Sequence, residues 1–149
     1  MHKDFYASGF LYHLPTQQIL LQHTASKPDG ISLTLFSGKG RKGESAEVTF
    51  QRVLFELLQM AIPMKAIHQI YDYPREYGNN HFIQYAEVVA VPSNASFLKK
   101  GLAGWYDLKK LSKIKLAEQI RQDIIVGQRV INAVERSRQP QIPLKQYQH

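Results

Sequence analysis

The chain has 149 residues, 44% of them hydrophobic and 21% charged, which suits one folded domain with its own core. It contains no cysteine, so disulfides, zinc–thiolate centres and thiol nucleophiles are excluded. Nineteen basic against twelve acidic residues give a formal net charge of +7. That balance favours partners that carry phosphate, without choosing among nucleotides, nucleic acid and lipid headgroups, and a merely solvated basic surface has it too.

No apolar run approaches the roughly 18 to 20 residues needed to cross a bilayer. Met1-His2-Lys3-Asp4-Phe5 carries an acid where a secretory signal is basic and then apolar. A cytoplasmic protein without a membrane partner is expected.

Phe5 to His13 is aromatic-rich and predicts a strand. Pro15-Thr16-Gln17 supplies a turn, and Gln18 to His23 pairs back as the second arm of a hairpin. Lys27-Pro28-Asp29-Gly30 marks a loop. Ile31 to Phe36 then alternates with a period of two, as a half-buried strand does.

Gly38 to Gly43 is a glycine-rich basic loop. A helix is predicted from Ser45, its N-cap, to about Ala61, because Pro63 ends it. Val48, Phe50, Val53, Leu54, Phe55, Leu57, Leu58 and Met60 nearly encircle this helix, and such a helix is expected to be buried on more than one side. Ala66 to Tyr73 predicts a fourth strand, Pro74 to Asn80 a loop, and His81 to Val91 a longer strand broken by Pro92-Ser93-Asn94. Beyond Trp105 comes a basic stretch with Lys109, Lys110, Lys113 and Lys115. A last amphipathic helix is predicted from about Ala117 to Arg136, with Ile120, Ile124, Val130, Ile131 and Val134 as its apolar stripe. Residues 1–138 read as one domain and residues 139–149 as a loose tail.

Two phosphate-binding patterns compete for the glycine-rich loop. Gly38, Gly43 and Ser45 have the glycine spacing of a P-loop, but Glu44 stands where the lysine must be and would repel phosphate. The second pattern fits. Gly38, Glu44, Arg52, Leu54 and Glu56 stand at the spacings of the Nudix box, with Met60 acceptable at its last position. Gly43-Glu44-Ser45 matches the triplet that commonly precedes the helix. The chain thus resembles the Nudix (MutT-like) hydrolase superfamily, over nearly its whole length in element order and specifically over residues 38–60.

That resemblance implies an α/β (α+β) fold, a mixed β-sheet sandwiched between helices. It implies a metal-dependent hydrolase of nucleoside diphosphates linked to another moiety, with Mg²⁺ or Mn²⁺ as cofactor and a nucleotide-type small molecule as substrate. Gly38, Glu44 and Arg52 would form the structural part of the box, Glu44 and Arg52 as a charge pair bracing loop against helix. Glu56 would be the catalytic, metal-binding carboxylate, with Glu47 as a second metal ligand. Lys39, Arg41 and Lys42 would hold phosphate oxygens.

The departures are as specific as the matches. Val53 replaces the glutamate after the arginine, Leu57 the second of the paired glutamates, and Gln59 the glycine. Positions 53, 56 and 57 share a helical face through their i, i+3 and i+4 spacing, so one carboxylate remains of three. Glu47 and Glu87 are the nearby substitutes, and Glu56 can instead pair with Arg52 at i, i+4. Leu98 to Gly104, where many relatives carry an acid, has none.

The other candidates are weaker. The six histidines show no ligand spacing and read as strand or loop residues. Lysines on both sides of Trp105 and Tyr106 fit single-stranded nucleic acid, but a solvated edge explains them as well. The alternative function is therefore a non-catalytic Nudix-fold module that binds a nucleotide or a partner. An apolar exposed helix face would also suit a homodimer.

Overall fold

The structure, a computed structural model, describes residues 4–25, 31–74, 79–90 and 95–138. The Lys27–Gly30 loop, most of the loop after Pro74, Pro92-Ser93-Asn94 and the tail lie outside the described residues. No helix among the described residues is long and apolar enough to cross a membrane.

Seven strands form one mixed sheet: β1 (Phe5–His13), β2 (Gln18–Ala25), β3 (Ile31–Thr34), β4 (Phe36–Lys39), β5 (Ile67–Pro74), β6 (Asn80–Val88) and β7 (Ala103–Asp107). The main path runs β3-β2-β1-β6-β5, while β4 also pairs with β1 and β7 with β2. Among the described strands only β1 and β6 run parallel, in register from Phe5 opposite Asn80 to His13 opposite Val88. Strand β1 is buried along nearly its whole length, as a strand covered on both faces must be.

Alternation along the central strands divides the core. Ala7, Leu11, Leu20, Ala86 and Val88 face one way and pack under α1 (Ala46–Leu58). Phe10, Tyr12, Ile19, Leu21, Ile83 and Tyr85 face the other way, under α3 (Glu118–Arg138). The sheet is therefore covered by a helix on each face. The short α2 (Ser96–Lys99) sits beside α1 and β7, and a 3-10 segment, Leu108–Lys113, carries Lys109, Lys110 and Lys113.

Three expectations need correction. The run Ile31 to Phe36 is two strands: β3 ends at Thr34 and β4 begins at Phe36, so Gly38 and Lys39 are strand residues and the loop starts at Gly40. Helix α1 stops at Leu58, short of Ala61, because Gln59 turns left-handed (φ 59°) and its N–H closes onto Phe55 O at 2.9 Å. Pro63 starts a separate 3-10 turn, Met64–Ala66.

The third correction concerns burial. Ala46, Thr49, Phe50, Val53, Leu54 and Leu58 are buried against the sheet, and Phe50 and Leu54, both 0% exposed, contribute roughly 1.5–3 kcal/mol each. Val48 and Phe55 on the outer side are 38% and 52% exposed. That side edges a groove with Gln51, Arg52, Ala61 and Ile62.

Candidate functional site

The turn from β4 into α1 is built around one guanidinium. Arg52 donates from Nε and Nη2 to the two oxygens of Glu44 at 2.9 and 3.0 Å, from Nη1 to Glu56 Oε1 at 2.9 Å, and from Nη2 to Lys39 O at 2.9 Å. Glu44 also accepts the Arg41 N–H and the Thr49 hydroxyl, each at 2.9 Å. The Arg52 hydrogen bonds, opposed by burial and helped by the other donors, hold the Glu44 carboxyl down at about 2. Glu44 in turn pushes Arg52 up, so both stay charged at neutral pH. Ser45 caps the helix, its Oγ accepting from Val48 N at 3.2 Å. Gly43 holds a φ of +86° that a side chain would strain.

Three positions on α1 bear on metal binding. Val53 is only 4% exposed and lies over Gly38, where a Cβ would collide with its Cγ2. Leu57 is 39% exposed. Glu56 has both oxygens engaged, one by Arg52 at 2.9 Å and the other by Arg41 at 3.7 Å.

The two proposed substitutes are not brought to it. Glu47 accepts from Gln69 Nε2 at 2.6 Å, and nine helical residues put it roughly 13 Å along the axis and half a turn round from Glu56. Glu87 points to the opposite face of β6, where Arg138 donates to both its oxygens at 2.6 and 2.8 Å. Among the described residues no group of three or more His, Asp or Glu is placed to hold a cation. A hard divalent cation needs several anionic oxygens together, so the residues present do not fit the metal that the fold implies.

A second feature lies between the sheet and α3. A cavity of about 310 Å³ is lined by Ser8, Thr34, Leu35, Ser37, Tyr73 and His81 from the sheet side and by Ala117, Gln119, Ile120 and Asp123 at the start of α3. Its polar groups are linked in series. Ser8 Oγ donates to Ser37 Oγ at 2.7 Å and lies 2.5 Å from His81 Nε2, and His81 Nδ1 lies 3.1 Å from the Tyr73 hydroxyl. Both ring nitrogens of His81 are thus engaged by hydroxyls, each of which can donate or accept. Asp123, 2% exposed, accepts the Tyr71 hydroxyl at 2.5 Å and Gln119 Nε2 at 2.9 Å. Burial first and Asp123 second push the Tyr71 hydroxyl well above its ordinary range.

Sequence reasoning missed this cavity and took His81 for an ordinary strand residue. The local signals were a serine inside the aromatic run of β1 and an aspartate on the apolar side of α3. Lys39 does not line the cavity; it stands two residues after Ser37 in β4 and so lies on the same sheet face, about 7 Å further along. Lys39 pairs with Asp4 at 3.2 Å, while Arg41 and Lys42 are exposed on the loop.

No protein-family sequence model matches the chain, and no curated protein matches it. Solved structures do. A mutT/nudix family protein from Listeria innocua matches with a TM-score of 0.64 and 17% identity, over 89% of this chain and 96% of that one. A MutT/nudix family protein from Enterococcus faecalis matches at 0.60 and 18% identity, and there the chain spans 63% of the other's length. The NUDIX domain of Shewanella oneidensis NrtR, complexed with ADP ribose, matches at 0.59 and 20% identity over 86% of each chain. The mixed sheet with a helix on each face agrees with these matches, and the chain has the Nudix fold.

Proposed function

We propose that the protein is a non-catalytic Nudix-fold module that binds a nucleotide-type ligand. The observation that carries this reading is the face of α1 around Glu56, where Val53 is buried, Leu57 is apolar and the one remaining carboxylate is hydrogen-bonded to Arg52. A hydrolase of this fold needs a cation to activate water and to neutralise charge at phosphorus, and this face of α1 offers no set of oxygens for one.

Binding without turnover needs only a seat, and the cavity beside α3 has the required character. Its hydroxyls, amide and imidazole donate to and accept from the edge of a base or the hydroxyls of a ribose. The ligand of the NrtR domain, ADP ribose, is a compound of this kind and a suitable first probe.

The test has two arms. In the first, ADP-ribose, dinucleoside polyphosphates and sugar nucleotides are incubated with the protein and Mg²⁺ or Mn²⁺, and no metal-dependent turnover is expected. In the second, ADP-ribose is titrated by calorimetry, and saturable binding is expected that Ser8→Ala with His81→Ala weakens. Metal-dependent hydrolysis at an ordinary enzyme rate, about 1 s⁻¹ or faster, would overturn the reading.

A further inference from the structure

We infer that the loop cations do the work left by the missing metal: Arg41, with Lys39 and Lys42, holds a diphosphate group directly, and no divalent cation takes part. The inference rests on the nucleotide-binding reading above and adds the chemistry of the phosphate end.

The charges decide which groups are free for this. Glu44 is fully matched by Arg52, so it adds no net repulsion to the loop. Arg52 itself is committed, with four hydrogen bonds and a side chain only 19% exposed. Arg41 is different. Its side chain is 65% exposed, and its one ion pair, to Glu56 at 3.7 Å, is long and faces water, a contact worth little. It can turn to a ligand at small cost.

A guanidinium offers a planar fork that matches two phosphate oxygens. With Lys42 and with Lys39, whose ion pair to Asp4 at 3.2 Å is half-exposed and exchangeable, it puts three positive charges into four residues, against the roughly two negative charges of a bridging diphosphate. Position agrees with charge. Ser37 lines the cavity, and Lys39, two residues on in β4, lies on the same sheet face, so phosphates leaving a nucleoside in the cavity past Lys39 would meet the turn that carries Arg41 and Lys42. In this arrangement Glu56 competes with the phosphate for Arg41, whereas a metal ligand would assist phosphate binding. The two roles predict opposite signs for the same substitution.

The experiment is a calorimetric titration of the full chain with ADP-ribose, ADP and adenosine, each in EDTA and in excess Mg²⁺. The affinity for ADP-ribose and ADP is expected to be unchanged by Mg²⁺. Arg41→Gln is expected to weaken both by about tenfold or more, the loss of a charge-assisted bidentate contact, and to leave adenosine unaffected. Glu56→Gln is expected to tighten ADP by up to about fivefold, the release of one exposed ion pair. Lys109→Gln, in the 3-10 segment, controls for bulk charge and is expected to change nothing. Melting curves matching the native protein establish that the variants are folded.

Tightening by Mg²⁺ of about tenfold or more, weakening by Glu56→Gln, or native-like ADP binding by Arg41→Gln would each overturn the inference while nucleotide binding stands. Failure of the native protein to bind any of the three probes would overturn the nucleotide reading itself.

Discussion

Gln59 occupies a left-handed backbone position, φ 59°, that closes α1, and the Nudix box has a glycine there. A side chain in this conformation costs about 1 kcal/mol that glycine does not. Gln59→Gly is therefore expected to stabilise the protein by about 1 kcal/mol in chemical denaturation, and a destabilised variant would show that the side chain's bond to Glu56 O at 3.3 Å matters more. Glu44 makes the opposite kind of contribution. Its carboxyl falls from an ordinary 4.5 to about 2 on folding, chiefly through Arg52. A depressed carboxylate stabilises fully above its unfolded value and loses that contribution as pH falls from 4.5 towards 2, for a total of up to about 3 kcal/mol. Glu44→Gln should lower stability at pH 7 by up to that amount and flatten the loss of stability between these pH values. Equal acid sensitivity in both proteins would assign the effect to other groups. The Glu44–Arg52 pair was legible in the sequence because the box fixes both spacings. The second partner of Glu56 was not, since nothing in the spacing says that Arg41 turns back towards the helix.

At the scale of one element, α1 shows what a helical period conveys and what it leaves out. The i, i+3, i+4 rule correctly put positions 53, 56 and 57 on one face, yet the two apolar replacements there have different surroundings. Val53 is packed into the sheet over Gly38, while Leu57, near the end of the helix, is 39% exposed. The near-complete apolar ring predicted burial on more than one side, but only a packed neighbour buries a face, and Val48 and Phe55 stay 38% and 52% exposed. The same limit explains the split of β3 from β4, where an unbroken alternation hid a break at Leu35. The distinction is testable by single substitutions. Val53→Glu puts a carboxylate against Gly38 and the core and should cost at least about 1–3 kcal/mol, more because it is charged. Leu57→Glu should change stability by no more than about 0.5 kcal/mol. The double variant is expected to lose stability without gaining metal-dependent turnover. A stable and active double variant would mean that Val53 merely replaced a ligand.

Over the whole molecule, the two covering helices and most strands were legible because alternation and helical period are local, whereas the short β4 and β7 were not read as strands of their own. The cavity was not legible, since Ser8, Ser37, Tyr73, His81 and Asp123 come from five elements. Glycines show the same limit most sharply, because the sequence gives each the same letter whatever surrounds it. Gly9 sits in β1 where three elements converge: it is opposite Phe36 of β4 and Gln84 of β6, and Phe50 of α1 lies over it. A Cβ there would collide with the Gln84 carbonyl oxygen and come within 2.7 Å of Phe50 Cζ. Strand backbone cannot withdraw without breaking the parallel pairing at the centre of the sheet. Gly127 in α3 also faces a tight contact, but with Ile70 Cδ1 at 2.9 Å and Phe10 Cζ at 3.0 Å, the far ends of side chains that can shift. There an alanine also regains the 0.5–1 kcal/mol or so that glycine costs inside a helix. Gly9→Ala is accordingly expected to cost about 3 kcal/mol or more, at the upper end of overpacking effects, or to prevent folding. Gly127→Ala should stay within about 1 kcal/mol of the native protein. Urea denaturation of the two variants, with circular dichroism to identify an unfolded Gly9→Ala, compares them directly. Equal costs would mean that β1 and β6 can separate locally, and that the centre of the sheet is less rigid than its pairing implies.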